Sequence, residues 1–278
     1  MTSSTETSTE TLGEPPSLIA SALARPDILG SALIGIAFLA AWQWLPGLLG
    51  VPRFIIPPVS EVWSEFLYMI DREQLLMHFA ITMASVAAGF ALGALLGMII
   101  GYALGMSSTL EVVLSPYILA LQIAPKVAFA PLFVMWFGFT VYPKILVAML
   151  IVFFPVMVNV LGAVRTIDRD QINLARAFNA TRAELFWKIE VPASMPPLFS
   201  GLRIAATLAV VGVVVGELVG GNSGLGYLLV YGQGQANTPM VFVVILLLTL
   251  IGLIAYVAVV LVEARVLHYL PRRELAAA

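Results

Sequence analysis

The stretch GFALGALLGMIIGYALG, residues 89–105, decides how this chain folds. Gly89, Gly93, Gly97, Gly101 and Gly105 recur at every fourth position, so on a helix they share one face and leave it without side chains. The stretch lies inside an uncharged segment, residues 79–110. A bilayer core about 30 Å thick takes about 20 apolar residues of helix, so this segment is long enough to span it. Apolar burial hardly drives helix association in lipid, and a small-xxx-small face instead lets a neighbouring backbone come close. The segment is therefore predicted to be a central span of a helical membrane bundle.

The remaining sequence agrees. Of 278 residues, 60% are hydrophobic and 11% charged, with a mean hydropathy of +0.99, whereas soluble domains carry about 25% charged residues. A soluble enzyme is excluded. Fourteen Lys and Arg against sixteen Asp and Glu give a net charge of −2, which leaves no basic surplus for a nucleic-acid backbone. Without cysteine the chain has neither disulfides nor thiolate metal sites, and its two histidines, His78 and His268, stand far apart in sequence.

Six spans are predicted, at residues 28–51, 79–110, 112–139, 145–164, 198–218 and 240–262, the third interrupted by Pro125-Lys126 and Pro131. The fold class is all-α, a polytopic membrane protein. Residues 1–26, rich in Ser, Thr and Glu, are expected to be a disordered tail, and residues 27–274 the membrane domain. Six spans put both termini on one side. That side holds Arg25, Arg165, Arg169, Arg176, Arg182, Lys188, Arg203, Arg265, Arg272 and Arg273, and the other only Arg53, Arg72 and Lys144. Basic residues accumulate in the cytoplasm, so the termini are expected there, in a cell inner membrane. On the outside, residues 57–71 alternate apolar Val59, Val62, Trp63, Phe66, Leu67 and Ile70 with polar positions at helical spacing, an amphipathic helix expected to anchor in membrane lipid.

The longest cytoplasmic loop, residues 165–197, has structure of its own. Asp168 with Gln171 reads as a capping box that opens a helix to Phe178. Asn179 tolerates the left-handed conformation that ends helices. Thr181 with Glu184 opens a second helix through Leu185, Phe186, Trp187 and Ile189, which Pro192, Pro196 and Pro197 are expected to stop. Leu174, Ala177 and Phe178 are left as apolar contacts, so the pair of helices reads either as a docking element for a soluble partner or as an element lying on lipid.

The stretches NLARAFNATRAELF (173–186), VPASMP (191–196) and GLRIA (201–205) resemble the EAA signature of ABC importer permeases. Here Asn173, Leu174 and Ala175 occupy the positions of the family's Glu-Ala-Ala, and Asn179 that of its Gly. IPPVSEVW (56–63), GFALGALLG (89–97), APLFVMWFG (130–138) and GELVGGNSGLGY (216–227) are similar to the nitrate, sulfonate, taurine and bicarbonate branch, and the resemblance runs from about residue 30 to 270. It implies a type I importer permease, of MetI-like fold, whose coupling helices at residues 167–192 engage an ATPase. The contacts would come from Asn173, Leu174, Ala175, Arg176, Ala177, Phe178, Asn179, Ala180 and Thr181. It also implies two copies of a cytoplasmic ABC ATPase, a second permease copy forming a homodimer, and a periplasmic or lipid-anchored substrate-binding protein.

No Gly-Lys-Ser/Thr phosphate loop exists here, since Lys126, Lys144 and Lys188 follow Pro, Pro and Trp. The chain is expected to bind no cofactor, with ATP and Mg in the partner ATPase. The translocation path is sought at Lys126, Gln122 and Glu217. A charge at membrane depth costs about 2.5–3.5 kcal/mol, so Lys126 either faces a path or gate, or is paired structurally. Glu217, at the outer end of span five, either pairs with a cation, faces the binding protein, or is solvated. Residues 124–131 look more like members that carry pyrimidine or flavin heterocycles, while Lys126 suits an anion such as nitrate or a sulfonate. A different class, an ion-coupled secondary carrier acting without an ATPase, would show carboxylates in mid-span and inverted repeats of comparable length, and neither is visible.

Overall fold

The computed structural model describes residues 26–268, in two units that meet at residues 60 and 61. All but the last residue of the expected tail lies outside the described residues, as do Arg25, Arg272 and Arg273 of the orientation count. In the first unit, α1 (Pro26–Leu48) carries the first predicted span. The chain then folds back on it: Trp42 Nε1 donates to Pro57 O at 3.1 Å, and Gln43 exchanges two hydrogen bonds with Ser60.

The second unit holds the rest of α2 (Val59–Arg72), then α3 (Leu75–Gly105), α4 (Ser108–Ile123), a 3-10 turn at Lys126–Phe129, α5 (Ala130–Phe137) and α6 (Tyr142–Arg165). It continues with α7 (Arg169–Ala177), α8 (Arg182–Leu185), a π turn at Phe186–Glu190, α9 (Val191–Gly220), α10 (Leu225–Gly234) and α11 (Thr238–Val266). Four of its helical segments are long and apolar enough to cross a membrane, and α1 makes five. The pair α4–α5, bent by 79°, makes a sixth crossing if it is one span.

The helix at the centre is α6, which packs against α3 on one side and α9 on the other. A Cβ added at Gly89 would stand 2.5 Å from Ala148 Cβ, at Gly93 2.7 Å from Met149 O, at Gly97 2.8 Å from Phe153 O and at Gly101 2.7 Å from Met157 O. The opposing row on α6, Ala148, Val152, Val156, Val160 and Val164, also repeats every fourth residue. Two matched rows thus let the backbones touch, which is what holds helices together in lipid. The other side repeats the device: Gly212 meets Ala148 Cα and Gly216 meets Lys144 Cα, each at 2.5 Å from a notional Cβ.

Three sequence expectations change. Pro131 does not interrupt the third span; it sits in the first turn of α5, where its missing N–H costs nothing. The break is made by Pro125, which forces Ala124 into an extended conformation at φ −54°, ψ 135°. Pro192, Pro196 and Pro197 do not end the second hairpin helix, which runs from Arg182 to Gly220 as one continuous rod. For Pro192 the π turn is the reason, while Pro196 and Pro197 lie inside α9 itself and remove two N–H donors without ending it. Val191 N–H bonds Phe186 O, five residues back, and this wider turn immediately precedes Pro192, which would crowd a regular α turn. Ser194 Oγ donates to Val191 O at 2.9 Å. Finally, Lys144 is not a loop cation: α6 begins at Tyr142, and Lys144 is buried in its first turn.

The amphipathic helix α2 keeps Trp63, Leu67 and Tyr68 exposed, but turns Val62 and Met69 inward. Glu65 accepts a hydrogen bond from Asn237 Nδ2 at 2.8 Å, and Asn237 in turn caps α11 by accepting from Met240 N.

Candidate functional site: coupling hairpin, broken span and buried ion pair

The hairpin between α6 and α9 is built by its caps. Asp168 accepts from Asp170 N at 2.8 Å, so it caps α7 through that amide, where a box with Gln171 was expected. At the far end Ala180 N bonds Ala175 O and Asn179 N bonds Arg176 O, with Asn179 at φ 59°. These two bonds are the Schellman arrangement, with asparagine in the left-handed position that glycine usually holds. Thr181 and Glu184 form the reciprocal capping box that opens α8. The turn therefore presents Leu174 (61% exposed), Phe178 (80%) and Trp187 (68%) outward. Asn173, Arg176, Ala177 and Thr181 are also exposed, and Ala175 and Ala180 partly so.

The hairpin is fastened to the bundle at its base. Tyr102 of α3 packs edge-on against Phe186, with ring centroids 5.8 Å apart, and its hydroxyl contacts Ser194 Oγ. Because Ser194 spends its own proton on Val191 O, Tyr102 is the donor. Arg165 pairs with Glu111 at the start of α4, and Arg203 with Glu263 at 3.5 Å across α9 and α11.

At the break in the third span, Lys126 Nζ donates to Gln122 O and stands 4.7 Å above the Phe154 ring. Pro125 leaves the carbonyl of Leu121 without its helical donor, so two acceptors gather at the end of α4. Among the described residues Lys126 has no carboxylate partner, unlike Lys144 and Lys188. Gln122 is exposed and Lys126 half-buried. No residue of α4 is buried.

Glu217 sits elsewhere, inside the bundle and 1% exposed. Its Oε1 lies 3.2 Å from Lys144 Nζ, and Thr82 Oγ1 is 3.0 and 3.1 Å from its two oxygens. Gly226 N donates to Oε2 at 2.8 Å. Thr82 accepts from Leu225 N, His78 Nδ1 accepts from Gly224 N at 2.9 Å, and Lys144 donates to Ser223 O. The loop before α10 is thus pinned to α3, α6 and α9 by its own backbone. Gly224, at φ +106°, has no alternative: a Cβ there would lie 1.9 Å from Glu217 Oε1. Sequence reasoning missed Lys144, Thr82 and His78 as members of this cluster. A single cation near the start of one span and a single carboxylate near the end of another were the available signal.

A family model described as "Binding-protein-dependent transport system inner membrane component" matches residues 89–268. The riboflavin transport system permease protein RibX of Chloroflexus aurantiacus is 41% identical over 84% of this chain and 88% of its own. The formylaminopyrimidine transport permease protein ThiX of Halalkalibacterium halodurans is 32% identical over 83% and 92%. A putative aliphatic sulfonates transport permease protein, SsuC of Bacillus subtilis, is 32% identical over 85% and 86%. Among solved structures, the MetNI methionine ABC transporter in an inward-facing conformation superposes with a TM-score of 0.56, at 18% identity, over 68% of this chain and 95% of that one. The chain belongs to the binding-protein-dependent transport system inner membrane component family, and is a multi-pass, non-enzymatic permease of the type I ABC importer fold.

Proposed function

We propose that this permease carries a small molecule inward from a binding protein, driven by two copies of an ATPase docked on the hairpin formed by residues 167–192. Family membership implies an ATPase and a substrate-binding protein as partners, in place of a carrier that works alone. The observation that carries the reading is mechanical. Leu174, Phe178 and Trp187 are exposed on a hairpin that continues into α9 without a break, so a pull on the hairpin is delivered to a membrane-spanning rod. An ATPase groove that buries Phe178 gains an aromatic anchor of the kind that dominates interfaces. Nucleotide and Mg sit in that partner. Two permease copies with cytoplasmic termini complete the assembly.

In this reading the path runs past the broken span at Lys126 and Gln122, and Glu217 serves it by fixing the loop before α10. RibX and ThiX carry names of flat heterocycles and SsuC the name of an anion, so the substrate is drawn from these two classes. The test is Phe178→Ala, measured in membranes containing the ATPase. Permease should remain at its normal level while ATPase recovery with it falls by about tenfold. ATPase recovery equal to wild type would defeat the reading. For the path, Lys126→Ala should reduce uptake more than assembly, and equal mild effects on both would remove Lys126 from it.

A further inference from the structure

Three aromatic rings lie in a stack at the end of the bundle that carries the pinned loop. His78 of α3 and Tyr227 of α10 have centroids 5.7 Å apart with planes 21° from parallel. Tyr227 and Tyr231, one turn apart on α10, follow at 6.2 Å and 22°. The first rung is fixed in rotation, because His78 Nδ1 accepts the Gly224 N–H, which leaves the ring proton on Nε2. The last rung is open: Tyr231 is 38% exposed. Neither phenol has a hydrogen-bond partner among the described residues.

We propose that this stack is a recognition platform for a flat, conjugated, uncharged heterocycle, which adds itself as the next ring over Tyr231. The proposal rests on the importer reading and decides between its two substrate classes. A ring laid on a fixed aromatic stack gains stacking without first ordering the site. A compact anion finds nothing comparable. Lys144, the cation that acts on His78, is already committed to Glu217, and the other charge acting on His78 is the acidic Glu73.

The experiment uses the purified permease–ATPase complex in nanodiscs, with riboflavin as the flat-ring probe, because its fluorescence is quenched on stacking against tyrosine. Wild type should quench saturably, and Tyr231→Phe, which keeps the ring, should bind within about twofold of it. Tyr231→Ala should weaken binding by about tenfold or more; the side chain is partly exposed, and a matching melting temperature establishes that the variant is folded. 4-Amino-2-methylpyrimidine should restore the fluorescence, and ethanesulfonate should not. Absence of saturable quenching in wild type, equal affinity in Tyr231→Ala, or displacement by ethanesulfonate overturns the platform. ATP hydrolysis in the same nanodiscs tells the two failures apart. Hydrolysis that depends on the permease without quenching defeats the platform alone, whereas hydrolysis indifferent to the permease defeats the importer reading.

Discussion

Lys144 and Glu217, 73 residues apart in sequence, meet at 3.2 Å inside the bundle with their side chains 3% and 0% exposed. Neither charge is tolerable there alone. Removing one partner of such a pair leaves an uncompensated buried charge, which costs about 3–5 kcal/mol, whereas replacing both by apolar groups of similar size is often neutral. Glu217→Leu and Lys144→Met should each lower the melting temperature of the detergent-solubilised permease sharply. The double variant should recover part of the loss. A double variant as unstable as the worse single one would show that the bonds from Glu217 to Gly226 N and Thr82, not the ion pair, do the holding.

The glycine face separates packing from mere flexibility. At Gly93 a Cβ would press to 2.7 Å on Met149 O and 2.8 Å on Val152, and a backbone carbonyl has nowhere to go. Gly93→Ala should therefore cost about 1–3 kcal/mol in stability, the usual range for overpacking. At Gly35 nothing lies within 4 Å, so Gly35→Ala should be neutral or raise stability by up to about 1 kcal/mol through helix propensity. Thermal melts of the two variants side by side check this, and equal losses would contradict the matched rows on α3 and α6.

These two sites show what the sequence made legible. The five glycines name the packing face of α3 because their spacing is a property of one helix. The partner row on α6 is visible only once the two helices are placed together, since Ala148, Val152, Val156, Val160 and Val164 look like any apolar span. The hairpin was legible for the same local reason: Asp168, Asn179 and Thr181 act within four residues of themselves. Lys144 was counted with an outer loop because a charge at a span's edge is normally solvated, and only Glu217, brought in by tertiary packing, makes its burial affordable. Pro192 misled because the rule that proline ends a helix assumes a regular turn ahead of it, and the chain supplies a π turn there, whereas Pro196 and Pro197 lie within α9, which runs on without the two donors they lack.

Asn179 is held at φ 59° by the two bonds that close α7. Glycine adopts that conformation freely and a β-branched residue pays for it, by roughly 1–2 kcal/mol. Asn179→Gly should leave the hairpin intact, and Asn179→Val should open it. Transport and ATPase recovery should follow that order, with Gly at wild-type level and Val reduced, while membrane levels of permease stay equal. Equal behaviour of the two variants would mean that the left-handed turn is not needed for docking.

The π turn at Phe186–Glu190 is where the hairpin joins α9. The turn already absorbs one extra residue, so a further alanine inserted after Glu190 finds no such slack and should rotate the hairpin by about 100° with a shift of about 1.5 Å. The membrane part of α9 is untouched by this, since its contacts with α6 begin at Gly201, beside Asn159, and continue through Gly212 and Gly216. The lengthened protein should insert and melt close to wild type. Its Phe178 and Trp187 would face a new direction, and the Tyr102–Phe186 contact that braces the base would be lost. ATP-driven uptake should therefore fall to background while permease abundance does not. Deleting Ile189 in the lengthened protein restores the residue count and should restore uptake. Uptake that survives the insertion unchanged would show that the hairpin's direction is set elsewhere, and that α9 does not carry its motion.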